Sequence, residues 1–261
     1  SLIHISYQSM EPITSIADED VLFKLCLKPV DYGESVIDLV SFYYDNTQIQ
    51  ALTDGKILVV GWFSSFNGSS ANRIARLNSD GTIDNSFTIG TGFNQNVLSI
   101  TLQTDGKILV VGDFTEFNGS PANRLARLNT NGTLDNSFAI GVGHNQTVYT
   151  VSVQSNGKVL VGGLFTNFNG SSVNRIARLN TDGTPDNSFT IKGFNNAVRS
   201  IALQSDGKIL VGGIFTTYIG NSVNRIARLN TDGTLDNSFT IGSGFNQAVN
   251  RIALQTDGKI L

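Results

Sequence analysis

From about residue 46 onward the chain alternates apolar and polar positions in short runs, each closed by a glycine turn. "VRSIALQ" (198–204) has the period of a strand, "SDG" that of a tight turn, and "KILVGGIF" (208–215) predicts the second strand of an Asp-Gly hairpin. "NRIARLN" (224–230) predicts a third strand, "TDGT" a second Asp-Gly turn, and "LDNSFTI" (235–241) a short fourth strand. In "KILVVG" (56–61), Ile57 and Val59 face one side while Leu58 and Val60 face the other. Both faces are apolar, so both must be covered, as when a sheet is sandwiched between two others.

This pattern recurs. The turn "DGK" or "NGK" begins at Asp54, Asp105, Asn156, Asp206 and Asp257, in steps of 51, 51, 50 and 51. A fixed period in this range marks a propeller, solenoid or array. Four strands per period with no helical stretch between them describe the blade of an all-β propeller. Full repeats run over 47–97, 98–148, 149–197 and 198–248, and a partial fifth begins at Val249. Gly61, Gly112, Gly163 and Gly213 share one repeat position, where a side chain would meet neighbouring backbone.

The wording of the repeat, "SIALQSDGKILVGGIFT…NRIARLNTDGTLDNSF", closely resembles the delta-60 repeat, a β-propeller repeat family of bacterial and phage surface proteins. The resemblance covers residues 46–261. It departs from the usual phrase mainly in "VVG" at Val59–Gly61 and Val110–Gly112 and in Pro185. It implies a scaffold or binding module without catalytic chemistry, and it carries no site residues to transfer.

Residues 1–45 form a different, β-rich segment without repeats, with strand-like runs at Leu2–Tyr7, Val21–Leu27 and Val36–Tyr44; a helix from Ser15 is the alternative. The segment holds eight acids against two lysines, a net of −6 that leaves +3 for the remainder. Two closures are open at the far end. The N-terminal strands complete the fifth blade, or the chain belongs to a longer array or has a partner covering its edge, which is the preferred reading.

Composition narrows the function classes. Only 15% of residues are charged, below the roughly 25% of ordinary soluble domains. No clustered Lys/Arg face points to nucleic acid, and no apolar run approaches the roughly 18 residues of a membrane span. The one cysteine, Cys26, excludes an intrachain disulfide framework and reads as a core residue. The N-terminus lacks the basic start and apolar stretch of a secretory signal and reads like a chain that has lost its initiator Met.

The candidate chemistry lies in the repeated phrase. Asn78, Asp80 and Asp84, with their equivalents Asn129, Asn131 and Asp135, Asn180, Asp182 and Asp186, and Asn230, Asp232 and Asp236, have the spacing of a calcium loop. The extra carboxylates and terminal bidentate Glu are missing, so hairpin turns are preferred and no metal or other cofactor is expected. Arg73, Arg124, Arg175 and Arg225, with Arg76, Arg127, Arg178 and Arg228, read as bidentate partners of Asp84, Asp135, Asp186 and Asp236, within or between blades. "FNGS" matches the glycosylation sequon but is better read as turn chemistry. His144 stands where other copies have Phe93, Phe194 and Phe245, and reads as a variant aromatic.

Repeats differ after the shared glycine (Trp62, Asp113, Leu164, Ile214) and in the next loop. There Phe66, Asn67, Phe117, Asn118, Phe168, Asn169 and Tyr218 are candidate ligand-binding residues for a glycan or peptide, the aromatics as exposed platforms. Packing of these rings between blades is the preferred alternative. Unlike groups that converge as an active site requires are absent from the sequence. The expectation is a non-enzymatic structural or attachment protein on a virion, part of a larger assembly. Residues 1–45 would dock it to other structural proteins and 46–261 would form the displayed module. The alternative is a carbohydrate- or protein-binding lectin-like module at a bacterial surface.

Overall fold

A computed structural model describes residues 42–44, 47–189 and 193–261. It is built of antiparallel strands, arranged as the blades of a β-propeller. In the second blade the inner strand Val97–Leu102 pairs with the middle strand Ile108–Gly112, which pairs with the outer strand Leu125–Leu128. The third blade repeats this with Val148–Val153, Val159–Gly163 and Ile176–Leu179, and the fourth with Val198–Leu203, Ile209–Gly213 and Ile226–Leu229. The first uses Thr47–Ala51, Ile57–Val60 and Ile74–Leu77, and Phe42–Tyr44 pairs with the free side of its inner strand. That pairing puts the end of the predicted run Val36–Tyr44 on the first blade, not the fifth. The other runs predicted before residue 42 lie outside the described residues. A fifth hairpin begins where Ala253 and Leu261 exchange backbone bonds of 3.0 and 2.9 Å.

Middle strands are apolar on both faces because each is covered twice. Ile108 and Val110 share a cluster with Leu58 and Val60 of the first blade, whereas Leu109 and Val111 join Val159 and Val161 of the third. The glycine that ends each middle strand is held by close approach. A Cβ on Gly112, Gly163 or Gly213 would lie 2.1–2.2 Å from a backbone carbonyl of its own blade's entry loop.

The fourth strand is shorter than the pattern predicts. It shrinks to one bridge per blade, such as Leu229 with Leu235. The reason is the sequence Asp-Asn-Ser that follows. Asp236 Oδ1 accepts from Ser238 N at 3.0 Å and Phe239 N donates to Asp236 O at 3.1 Å, so the chain turns after one paired residue.

Between the middle and outer strands each blade carries a small hairpin, such as Glu116–Phe117 with Ser120–Pro121. Its two turn residues, Asn118 and Gly119, both have positive φ (49° and 75°), the type I′ geometry that favours Asn-Gly. "FNGS" is therefore turn chemistry, as its residues predict.

Candidate functional site

Three repeated devices bind most of the polar groups named in the sequence. The first lies at the outer edge. Asp186 Oδ2 receives Arg178 Nε at 2.6 Å and Lys158 Nζ at 2.8 Å, while its Oδ1 receives Ser188 N and Oγ at 3.1 and 2.7 Å. The same set surrounds Asp84, Asp135 and Asp236. Lys56 first, then Ser86, holds the Asp84 carboxyl well below the usual range. At Asp135, burial would raise the carboxyl, but bonds from Ser137, Lys107 and Arg127 outweigh it.

The arginine is not bidentate to the carboxylate as expected. Arg127 gives Nε to Asp135, stacks its guanidinium 4.4 Å from the Phe138 ring centroid, and sends Nη1 2.7 Å to Thr181 O in the next blade. One planar fork thus joins a carboxylate, an aromatic face and a neighbouring turn. The other arginine set does not pair with aspartate at all. Arg73, Arg124, Arg175 and Arg225 sit at φ 68–71° and turn Nη1 back to the carbonyl of Trp62, Asp113, Leu164 or Ile214, just past their own middle strand. The lysine partner was missed, although it precedes the aspartate by a constant 28 residues in all four copies.

With Lys and Arg on its carboxylate, Asp84 is not placed as a cation ligand, nor are Asp135, Asp186 and Asp236. Asp80 Oδ1 accepts from Thr82 N at 2.9 Å and Thr82 Oγ1 at 2.6 Å, and Asn78 Nδ2 donates to Thr82 Oγ1 at 3.0 Å. The phrase that resembles a calcium loop is a turn whose glycine alone takes positive φ. No cluster of three metal-ligating residues exists among the described residues.

The second device is an aromatic stack between blades. Phe93 packs 4.3 Å from Phe114 and 4.6 Å from Phe117; Phe194 packs likewise on Phe215 and Tyr218. His144 takes the same place, 4.4 Å from Phe165 and 4.5 Å from Phe168. Packing between blades, the preferred reading of these rings, holds and the exposed-platform reading is corrected: Phe117, Phe168 and Tyr218 are buried, and Phe66 is partly buried. Rings this large are worth more between two sheets than in water.

The third device is a set of asparagine clasps. Asn94 Oδ1 accepts from Thr115 N and Glu116 N, and its Nδ2 reaches Thr115 Oγ1; Asn145 and Asn195 repeat the pattern. Asn118 and Asn169 are exposed, but their Oδ1 atoms accept from Thr91 N and Val142 N. Asn67 lies exposed in the equivalent turn. The Asn118 side chain fills the space above Gly90, where a Cβ would stand 2.2 Å from it. A cleft of about 240 Å³ on the first blade includes Arg76, Asp84 and Phe87 in its lining, and one of about 300 Å³ between the first two blades includes Arg73, Phe93 and Asn94.

What remains lies where the repeats differ. The inner strands of the second, third and fourth blades bulge near their start, so that Leu98, Tyr149 and Arg199 are skipped in the pairing with the middle strand. A bulge re-aims a side chain. Asn250 holds the same repeat position in the fifth unit, and Arg199 Nη1 donates to its Oδ1. Thr147 Oγ1 donates to Asp113 Oδ1 at 2.6 Å. Burial first, then the Asp113 charge, raises the Tyr149 phenol, and the Arg199 charge lowers it. These unlike groups gather at the end of the inner strands that carries the clasped loops. The sequence showed the variation at Asp113, but the bulge that aims Tyr149 and Arg199 has no signature in a single strand.

A family model described as "Domain of unknown function (DUF5122) beta-propeller" matches residues 52–87, 103–138, 154–189 and 204–239, together more than half of the chain. No curated protein matches it. Among solved structures, the extracellular domain of the putative hybrid two component system BT4673 from B. thetaiotaomicron is similar with a TM-score of 0.52 at 14% identity, over 88% of this chain and 32% of that one. The computationally designed Ika8 protein is similar with a TM-score of 0.48 at 13% identity, over 84% of this chain and 68% of that one. PorZ of Porphyromonas gingivalis, described as a surface component of the type-IX secretion system, gives 0.45 at 16% identity, over 84% and 30%. This chain spans about a third of the length of the BT4673 and PorZ chains. Likeness at this level of identity concerns the fold.

Proposed function

The chain belongs to the DUF5122 beta-propeller family, and on that footing we propose that it is a non-enzymatic attachment module displayed outside the cell. The observation that carries this reading is the division of labour among its polar groups. Repeated Asp, Lys, Arg and Asn side chains are bound within or between blades, and the varied ones gather at one end of the inner strands. Such an arrangement offers a rigid surface for recognition. Near-identical acids and arginines held in fixed pairs are poorly placed for proton transfer.

The finer reading is a component of a phage virion, suggested by the resemblance to the delta-60 repeat and the acidic segment 1–45, which would dock the propeller to other structural proteins of a larger assembly. A bacterial cell-surface module is the second reading, favoured by the propeller fold shared with the extracellular domain of BT4673. Fractionation of the native source separates them: the virion reading expects the protein in purified particles, and recovery only with cells or medium overturns it. Turnover of a broad panel of glycosidic, ester and phosphoester substrates, lost on mutation at the varied end, would sink the non-enzymatic reading.

A further inference from the structure

Outside the repeated positions, the charged side chains among the described residues are Asp113, Glu116, Arg199 and Arg251. Asp113 is bonded to Thr147, just before the inner strand of the third blade that carries Tyr149 at its bulge, and Arg199 is the bulge residue of the fourth blade's inner strand packed beside it. Asp113 and Arg199 differ from the repeated charges in their partners. Each repeated outer-edge aspartate holds two cations, whereas Asp113 bonds Thr147 and Arg199 bonds Asn250, both neutral. Neither makes an ion pair within 4.0 Å among the described residues.

A guanidinium has five N–H donors in a planar fork that matches a carboxylate, and a partly buried one is stabilised by an anion. The Asp113 carboxylate only accepts, and Thr147 uses part of that capacity. A simple anion would meet Arg199 but be repelled by Asp113. A neutral polyol would meet Asp113 and leave Arg199 without its counter-charge. A ligand that satisfies both carries an acid group and hydroxyl donors a few atoms apart. Trp62, at Asp113's repeat position one blade earlier, is 50% exposed and offers an apolar ring face of the kind sugars stack on.

We propose that the loop-bearing end of the inner strands binds a sugar that carries a carboxylate. Arg199 and Asn250 receive the carboxylate, and Asp113 and Tyr149 receive the ring hydroxyls. This assignment rests on the reading of the propeller as a binding module and names the class of ligand that this module takes.

Calorimetric titration of the purified chain at pH 7 with D-glucuronate, glucose, acetate and glycine tests it. Glucuronate is expected to bind saturably, with glucose, acetate and glycine each at least ten-fold weaker. Arg199→Gln keeps a side chain able to bond Asn250; it is expected to lower glucuronate binding to the level of glucose with an unchanged melting temperature. Tyr149→Phe is expected to weaken glucuronate and glucose by the same few-fold factor. Equal binding of glucuronate and glucose overturns the proposal, as does glycine binding more tightly, which would mark a zwitterion site. Unchanged glucuronate affinity in Arg199→Gln overturns it too. A glycan array separates this failure from that of the wider reading. Neutral-glycan hits that Arg199→Gln retains refute the acidic-sugar site and leave the binding module standing, whereas an empty array with no glucuronate binding counts against both.

Discussion

Replacing His144 with Phe should stabilise the protein, and by more as the pH falls. The imidazole is 3% exposed, and neither ring nitrogen has a hydrogen-bond partner. Its site is built for a plain ring: Phe93 and Phe194 occupy the same position in other blades, at nearly the same distances from their aromatic neighbours. An unsatisfied buried polar group costs about 1–3 kcal/mol, so a gain of about 2 kcal/mol is expected at pH 8. Acid enlarges it. Burial lowers the His144 pKa from 6.5 to about 3, so the unfolded chain takes up a proton at higher pH than the folded one. Stability is complete above pH 6.5 and falls by about 1.4 kcal/mol per unit towards pH 3, a loss of about 2.7 kcal/mol at pH 4.5. The buried aspartates do not mask this slope. Their pKa values are lowered from 3.8, so their contribution is present above about pH 4 and is lost only below it. Urea midpoints at pH 8, 6.5, 5.5 and 4.5 measure the difference between parent and His144→Phe, in which the second histidine, His4, cancels. Parallel profiles over this range would refute both the burial and the direction of the shift.

Three further outcomes follow from the repeated devices. Asp186→Ala leaves Lys158 and Arg178 facing each other without their carboxylate and should cost about 3 kcal/mol, or roughly 6–12 °C in melting temperature; an unchanged melting point would show the outer-edge network to be idle. Ile219→Asn should stabilise by about 1 kcal/mol in chemical denaturation, because a β-branched residue at φ 49° is strained where Asn is tolerated. Gly112→Ala, whose Cβ would stand 2.1 Å from Asn96 O, should cost about 3 kcal/mol, with soluble, native-like protein as the contrary result.

The blades were legible in the sequence because period-2 alternation and Asp-Gly turns are local signals. Leu58, Val60, Leu109 and Val111 announced covered faces before any neighbour was known. Less legible were partners that lie outside the local strand-turn pattern. Packing of Phe117 and Phe168 between blades is the preferred reading of the sequence, which does not say which rings cover them, because Phe93 and His144 arrive from the preceding blade. The two arginine sets look alike in the phrase "NRIAR", yet only the second reaches an aspartate, because left-handed backbone at Arg73 and its equivalents turns the first away. Ile219 stands where the other full copies have Asn. Its equivalents Asn118 and Asn169 each clasp a loop of the form Ile-Gly-x-Gly, and in the third copy that loop is the shorter Ile191-Lys192-Gly193.

That pairing of changes bears on how function is read in a repeated chain. A blade-to-blade contact is made by the same two positions at every interface, so architecture favours identical copies, and a departure at one position calls for a departure at its partner. A small ligand near the inner strands touches a few blades, each from a different angle. It therefore favours unlike residues at equivalent positions. Leu98, Tyr149, Arg199 and Asn250 are of this second kind, as are Trp62, Asp113, Leu164 and Ile214. Ile219 is of the first. By this criterion aromatic rings and asparagines in a loop are weak indicators of a site when every blade has them. The bulge residues are stronger ones, since the backbone irregularity repeats while the side chain it aims does not.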